Sequence, residues 1–369
     1  MYSMLPMDNN KKQLDLLVSL TRITFLNLAE KIILLKNIDS ANDLALLSIE
    51  EIKQIVNRNI KVSSWDGKKN LLAAQKEICI LAAKGIKSVL YSDSEYPALL
   101  RETTNAPFML FYLGDISVLS GKTVSVVGTR KITPDAKKAT FEFAYEACKD
   151  GCSVVSGLAN GVDGFAHSGA VDAYYDANQN SVVGKTVAVL PVGCDTVTPY
   201  SHKRLAEKIL QTGGCLISEY VPGVSAEPWR FVQRNRIIAG LSPATVVIQA
   251  PCGSGSLITA EYAMEYNRDV MFHSVAFSDN ANIVAKTVKS ELDSRFAKGT
   301  ISKHKLENSP EKFVESGAPI INSYSDYCKC FSEPPGKRCC NIKDDGQLEL
   351  PNLKWEDSYG WKKIYFKKI

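Results

Sequence analysis

From Thr123 onward the chain alternates short β-branched runs with amphipathic stretches, and few architectures accept that rhythm. The runs are Thr123–Val127, Ser153–Val155, Thr186–Leu190, Cys215–Ser218, Thr245–Gln249 and Asp269–His273. Between them lie helical patterns over Asp135–Cys148, Val162–Tyr175, Lys203–Leu210 and Leu257–Tyr266. Strand and helix alternating at this spacing predict a parallel sheet with helices on both faces, an α/β fold. None of the runs alternates strictly between apolar and polar residues, which is how strands covered on both faces read.

The flanks read differently. Leu14, Leu17, Val18, Leu20 and Ile23, then Leu28, Ile32, Ile33 and Leu35, recur at helical spacing. Ser48 followed by Glu51 is a capping-box signature for the next helix. A further helix over 69–84 is expected to stop at Gly85. Residues 1–85 are therefore expected to form a small helical domain, and 86–119 a linker with one short strand near Ile86–Tyr91. The α/β domain is expected over 120–325, with 276–316 a charged insertion that has helical tendency in Ala285–Phe296 and precedes a last strand near Gly317–Ile321. Residues 326–369 read as a Cys-rich, aromatic-basic tail.

Hydrophobic residues make up 45% of the 369 and charged residues 23%, enough for a sizeable core. A net charge of +4 permits a nucleic-acid partner without requiring one. No window reaches the roughly 18 continuous apolar residues of a membrane span, and no leader pattern opens the chain. The ten cysteines are not spaced as a secreted framework. Cys79, Cys148, Cys194, Cys215 and Cys252 read as reduced small hydrophobes, and the cytoplasm is the expected location.

In an open parallel sheet ligands bind beyond the carboxyl ends of the strands, so the residues after each run carry the function. Gly128-Thr129-Arg130 follows the first. Gly128 lets a ligand approach the backbone, the next helix aims N–H groups at the same place, and Arg130 adds a forked donor suited to phosphate. Alone, the stretch also fits a tight turn with a solvated arginine. Ser156-Gly157-Leu158-Ala159-Asn160-Gly161-Val162-Asp163 follows the second run and again opens a helix. It is no dinucleotide fingerprint, because Gly157 and Gly161 are four apart. Asp163 reads as a helix cap ahead of a ribose ligand or base, and His167 as a packing histidine with no nucleophile beside it.

Arg234-Asn235-Arg236 opens an apolar helical run to Ser242. Two apart on a helix, these arginines point about 200° from each other, so one is expected to brace the site from inside. Trp229 and Phe231 offer faces for base stacking, or else anchor the loop in the core. Gly253-Ser254-Gly255-Ser256 opens another helix as a nest for a phosphate, and it is no P-loop because no Lys-Ser/Thr follows. No H-E-x-x-H, convergent carboxylate pair or metal-ligand cluster accompanies these loops. They are built to hold phosphates, and neither catalysis nor a cofactor is expected.

Together these stretches resemble the DNA-processing protein A (DprA/Smf) family. The match runs through Val127–Arg130, Ser156–Asp163 with Ala166-His167, Val189–Asp195 with Pro199-Tyr200, Ile217–Tyr220, Arg234–Ser242 and Gly253–Ala263, in the family's order over roughly 120–275. The resemblance implies an extended Rossmann-like fold that binds single-stranded DNA, forms a homodimer and loads the recombinase RecA onto incoming DNA in natural transformation, without catalysis. It places Arg130, Ser156, Gly157, Arg234, Asn235, Arg236 and Gly253–Ser256 in the DNA pocket, with no membrane role. The helical N-terminus resembles the family's sterile-alpha-motif-like extension. After the last long run the family usually turns through Pro-Gly into a short Gly-Asn-rich loop, whereas this chain continues as His273-Ser274-Val275-Ala276-Phe277 and a long charged stretch.

Two features stand apart. Cys328, Cys330, Cys339 and Cys340 offer four thiolates to a metal, but C-x-C and adjacent C-C are not the usual zinc spacings, so reduced thiols in a tail are preferred. The ending from Trp355 to Lys368 interleaves aromatics with lysines, suited equally to stacking on bases or to pinning a strand on the body. The competing function is a nucleotide-processing enzyme like the LOG-type phosphoribohydrolases with Glu261 as catalytic carboxylate; against it, Gly253–Ser256 lacks their Pro-Gly-Gly-x-Gly-Thr-x-x-Glu pattern. A weaker third reading is a nucleotide sensor.

Overall fold

The structure is a computed structural model that describes residues 14–62, 64–178 and 181–332. Five helices come first: α1 (Leu14–Arg22), α2 (Leu28–Asn37), α3 (Ala41–Leu46), α4 (Ile49–Val56) and α5 (Gly67–Lys84). The capping box at Ser48 forms, its hydroxyl taking the Glu51 N–H while the Glu51 carboxylate takes the Ser48 N–H. α5 starts two residues earlier than expected because Asp66 caps it through the Lys69 N–H.

Nine strands form one sheet: β1 (Lys87–Leu90), β2 (Met109–Gly114), β3 (Thr123–Val127), β4 (Ser153–Ser156), β5 (Thr186–Val189), β6 (Cys215–Ser218), β7 (Ala244–Val247), β8 (Asp269–His273) and β9 (Ile320–Ile321). Their spatial order is β1-β2-β6-β5-β4-β3-β7-β8-β9. Strands β3 to β9 pair in parallel, as expected. β1 and β2 pair antiparallel with each other, and β2 with β6, Phe111 facing Ser218. Residues 86–119 are thus a two-stranded edge of the sheet rather than a linker. The strand Met109–Gly114 was not among the expected runs, because its Met-Leu-Phe-Tyr-Leu stretch carries no β-branched residue.

The connecting helices are α6 (Ala98–Arg101), α7 (Pro134–Lys149), α8 (Val162–Tyr175), α9 (Lys203–Gln211), α10 (Pro228–Gly240) and α11 (Gly255–Glu265). Neighbouring strand residues enter opposite cores: Val126, Val154 and Val246 pack on one face with α7 and α8, Val127, Val155 and Val247 on the other with α10 and α11. This two-sided burial is why the runs read as continuous apolar stretches. A third core joins the N-terminal helices to the sheet, placing Leu16, Leu20 and Ile52 in one cluster with Phe111, Leu190 and Leu216.

The stretch read as an insertion is an ordered excursion of three helices, α12 (Asp279–Ala297), α13 (Lys303–Glu307) and α14 (Pro310–Glu315), before β9 closes the edge beside Phe272. The last described element is α15 (Tyr324–Ser332), where Tyr324 and Tyr327 pack on Phe143. It holds Cys328 and Cys330; Cys339, Cys340 and the aromatic-basic ending lie outside the described residues.

Candidate functional site

β3 and β7 lie side by side, yet the chain continues from β3 to a partner on one side and from β7 to a partner on the other. Strand order reverses between them, and a crevice opens beyond their carboxyl ends. A cleft of about 600 Å³ fills that position, within the size range of ordinary ligand sites. Five stretches line it: Val127–Lys131 at the end of β3, Ala159 and Asp163 after β4, Pro228 and Phe231 to Ile238 on α10, Pro251–Ser256 and Thr259 after β7, and a wall from α12 and α13.

The loop after β3 is pinned by its backbone. Thr129 N–H donates to the Gln249 carbonyl at 2.7 Å, and Val162 N–H donates to the Thr129 carbonyl at 3.2 Å. Arg130, held at the rim, is exposed, with its guanidinium carbon 5.0 Å from the Phe231 ring centroid and no carboxylate partner among the described residues. A cation resting on a half-buried ring leaves its donors pointing outward. Trp229 is 53% exposed and so is not a core anchor, while Phe231 lines the cleft. Trp229 lies outside the cleft lining, with the Arg230 guanidinium 4.8 Å from its ring.

Arg234 belongs to the interior. It is 3% exposed, with Nη1 donating to the Gly157 carbonyl at 2.6 Å and to the Val189 carbonyl. Burial pulls its pKa down to about 10, and the neighbouring Asp163 pushes it back up, so it stays charged at neutral pH. Asp163 is the second residue of α8 and not its cap; its carboxylate accepts the Ala159 N–H at 3.4 Å, and burial raises its pKa while Arg234 lowers it. A Cβ on Gly157 would strike the Arg234 guanidinium and force it to shift, so glycine lets that guanidinium lie against the loop. Ser156 turns inward and donates to the Val126 carbonyl at 2.6 Å.

Arg236 points elsewhere, to the buried Glu219 carboxylate and the Asn105 carbonyl. The expectation that one arginine braces the site therefore understated the case, since both do. Asn235 links α10 to the nest by donating from Nδ2 to the Gly255 carbonyl at 3.0 Å. Ser254 caps α11, and its hydroxyl meets that of Ser256 at 2.8 Å. The cleft thus gathers Gly128, Thr129, Arg130, Arg234, Asn235 and Gly253–Ser256, and it leaves out Ser156, Gly157 and Arg236, which stand behind it.

Sequence reading missed three cationic contributors. Lys131 adjoins Arg130 and was within reach of the same reasoning. Arg295 on α12 and Lys305 on α13 come from the charged excursion, where nothing in the local pattern signals the return to the cleft.

His167 is a packing histidine, as expected. Its Nδ1 meets Thr186 Oγ1 at 2.7 Å, and because that hydroxyl donates to Val154, the imidazole is the donor, the tautomer following from the network. Burial holds its pKa down to about 3, helped by His202 and Arg234. Glu261 lies outside the cleft lining, bound at 2.9 Å to both His304 Nε2 and Asn308 Nδ2. Setting the phosphoribohydrolase pattern on Pro251, Gly253 and Gly255 puts Thr259 where its carboxylate belongs. Among the described residues no three His, Cys, Asp or Glu side chains gather as a metal site.

Comparison with known proteins agrees with this geometry. A family model described as DNA recombination-mediator protein A matches residues 87–327. The chain is 33% identical over 222 residues to the DNA processing protein DprA of Bacillus subtilis, covering 60% of this chain and 69% of that one. It superposes on DNA processing protein A of Streptococcus pneumoniae with a TM-score of 0.60 and 27% identity, covering 84% of this chain and 95% of the other. Its fold is also similar to DNA processing protein A of Helicobacter pylori, solved for its single-stranded DNA binding mode, with a TM-score of 0.50, 23% identity and coverage of 67% and 95%.

Proposed function

The chain belongs to the DNA recombination-mediator protein A family, and from that premise we propose that its cleft binds the backbone of single-stranded DNA without turnover. One observation carries the reading: an exposed arginine and lysine, a serine-glycine nest at a helix N-terminus and an accessible aromatic ring share one crevice at the strand-order reversal. Cations and N–H groups meet phosphates, while Phe231 stacks on bases of any sequence. Arg234 and Arg236 hold the loops in place. On this reading Gly128, Thr129, Arg130, Asn235 and Gly253–Ser256 touch DNA, while Ser156, Gly157, Arg234 and Arg236 position them.

The finer reading is delivery of a RecA-type recombinase onto the bound strand by a homodimer in the cytoplasm. Its support is the family's mediator description and the fact that no described helix is long and apolar enough to cross a membrane. The test incubates the protein with a single-stranded oligonucleotide and, separately, with nucleoside monophosphates. The oligonucleotide is expected to be retained and recovered at full length with no base released, and addition of the protein is expected to speed recombinase filament assembly. Release of free base from the nucleoside monophosphates by the protein would make it an enzyme instead.

A further inference from the structure

The excursion α12–α13 builds a wall of the cleft, and that wall is basic. Arg295 and Lys305 both line the cleft, both are exposed, and neither has a carboxylate partner among the described residues. Glu291 is the single acid in the lining besides the buried Asp163. The wall is also fastened to the phosphate nest. Gly253 N–H donates to the Asn308 carbonyl at 2.8 Å, Cys252 Sγ donates to the Leu306 carbonyl at 2.7 Å, and Gly253, at φ +67°, leaves no room for a Cβ against the Lys305 carbonyl. Glu261 holds His304 and Asn308 from α11, and Ser278 at the root of α12 donates to Asp135 at 2.6 Å. An excursion tied at both ends cannot swing free of the nest without breaking these bonds.

We propose that Arg295 and Lys305 bind phosphates of the same strand that Arg130 and Lys131 hold, so that the excursion is a second basic jaw. This rests on the single-strand reading above. A strand contacted by two walls makes more ion contacts than one laid along a single loop, and each contact adds to the dependence of affinity on salt. Enclosure slows escape more than it speeds entry.

The test is fluorescence anisotropy with a labelled oligothymidylate at several salt concentrations, comparing wild type with the Arg295→Ala/Lys305→Ala double variant. Both side chains are exposed, so the variant is expected to melt as wild type does, which circular dichroism checks. Two lost single-strand contacts should make the slope of log affinity against log salt shallower by about 1.4, with a faster off-rate. Lys286→Ala/Lys298→Ala removes two exposed lysines of the same excursion that do not line the cleft, and it should leave the slope as it is. An unchanged slope in the first variant, or an equal loss in both, overturns the jaw. Failure of wild type to bind the oligonucleotide at all would instead overturn the single-strand reading on which it rests.

Discussion

Two arginines that look alike in sequence have opposite fates. Arg130 is exposed and free to meet a ligand, and Arg234 is buried on two carbonyls. Arg130→Ala is expected to weaken oligonucleotide binding and flatten its salt slope by about 0.7, with stability changed by no more than about 0.5 kcal/mol. Arg234→Ala orphans the Gly157 and Val189 carbonyls, and lost hydrogen bonds from a charged group cost roughly 1.5–3 kcal/mol. Urea denaturation separates the two; equal stability of both variants would contradict the division of labour. Gly157→Ala should behave like Arg234→Ala, because its methyl displaces the same guanidinium. His167 adds a pH dependence. Its folded pKa lies near 3 against an ordinary 6.5, so between these values the unfolded chain binds the extra proton and stability falls as pH drops through the window. His273, lowered to about 4 by burial, acts in the same sense. In His167→Gln the drop in urea midpoint from pH 7 to pH 5 should be smaller than in wild type, and an identical drop would remove His167 from the acid response.

At the scale of elements, the strand-end loops were legible and their surroundings less so. The loops after β3, β4 and β7 stood out because each places small residues between a β-branched run and a helix start, a local signal. The division between an exposed Arg130 and a buried Arg234 and Arg236 was only half legible, since helical periodicity says that two residues diverge but not which side is buried. β2 was missed because its run lacks the β-branched residues that marked the others, and the contribution of α12 and α13 because chain return over a long sequence separation leaves no periodic trace. That return has a checkable anchor. Glu261→Ala frees His304 and Asn308, and amide exchange over 303–308 should quicken while β3 and β7 stay protected. Unchanged exchange would mean that Glu261 does not hold the excursion.

At the scale of the molecule, the N-terminal helices share a core with the sheet instead of hanging beside it. Lys31 on α2 reinforces the junction: it is buried, donates to the Thr21 carbonyl at 3.1 Å, and has its pKa brought down to about 8 by burial against the opposing pull of Glu219. Glu219 in turn ion-pairs with Arg236, so the carboxylate that anchors a brace of the cleft also attracts Lys31 of the helical region through space. A single cooperative thermal transition is expected over the described fold, and two resolved calorimetric transitions would show that the helical region melts alone.

The role proposed for the cleft that the alternating strands build is to bind single-stranded nucleic acid through its phosphates. The direct measurement titrates single-stranded and duplex oligonucleotides of one sequence against the protein at two salt concentrations. Tighter binding of the single strand, weakening as salt rises, is the expected result. Equal or tighter binding of the duplex, or an affinity indifferent to salt, would contradict it.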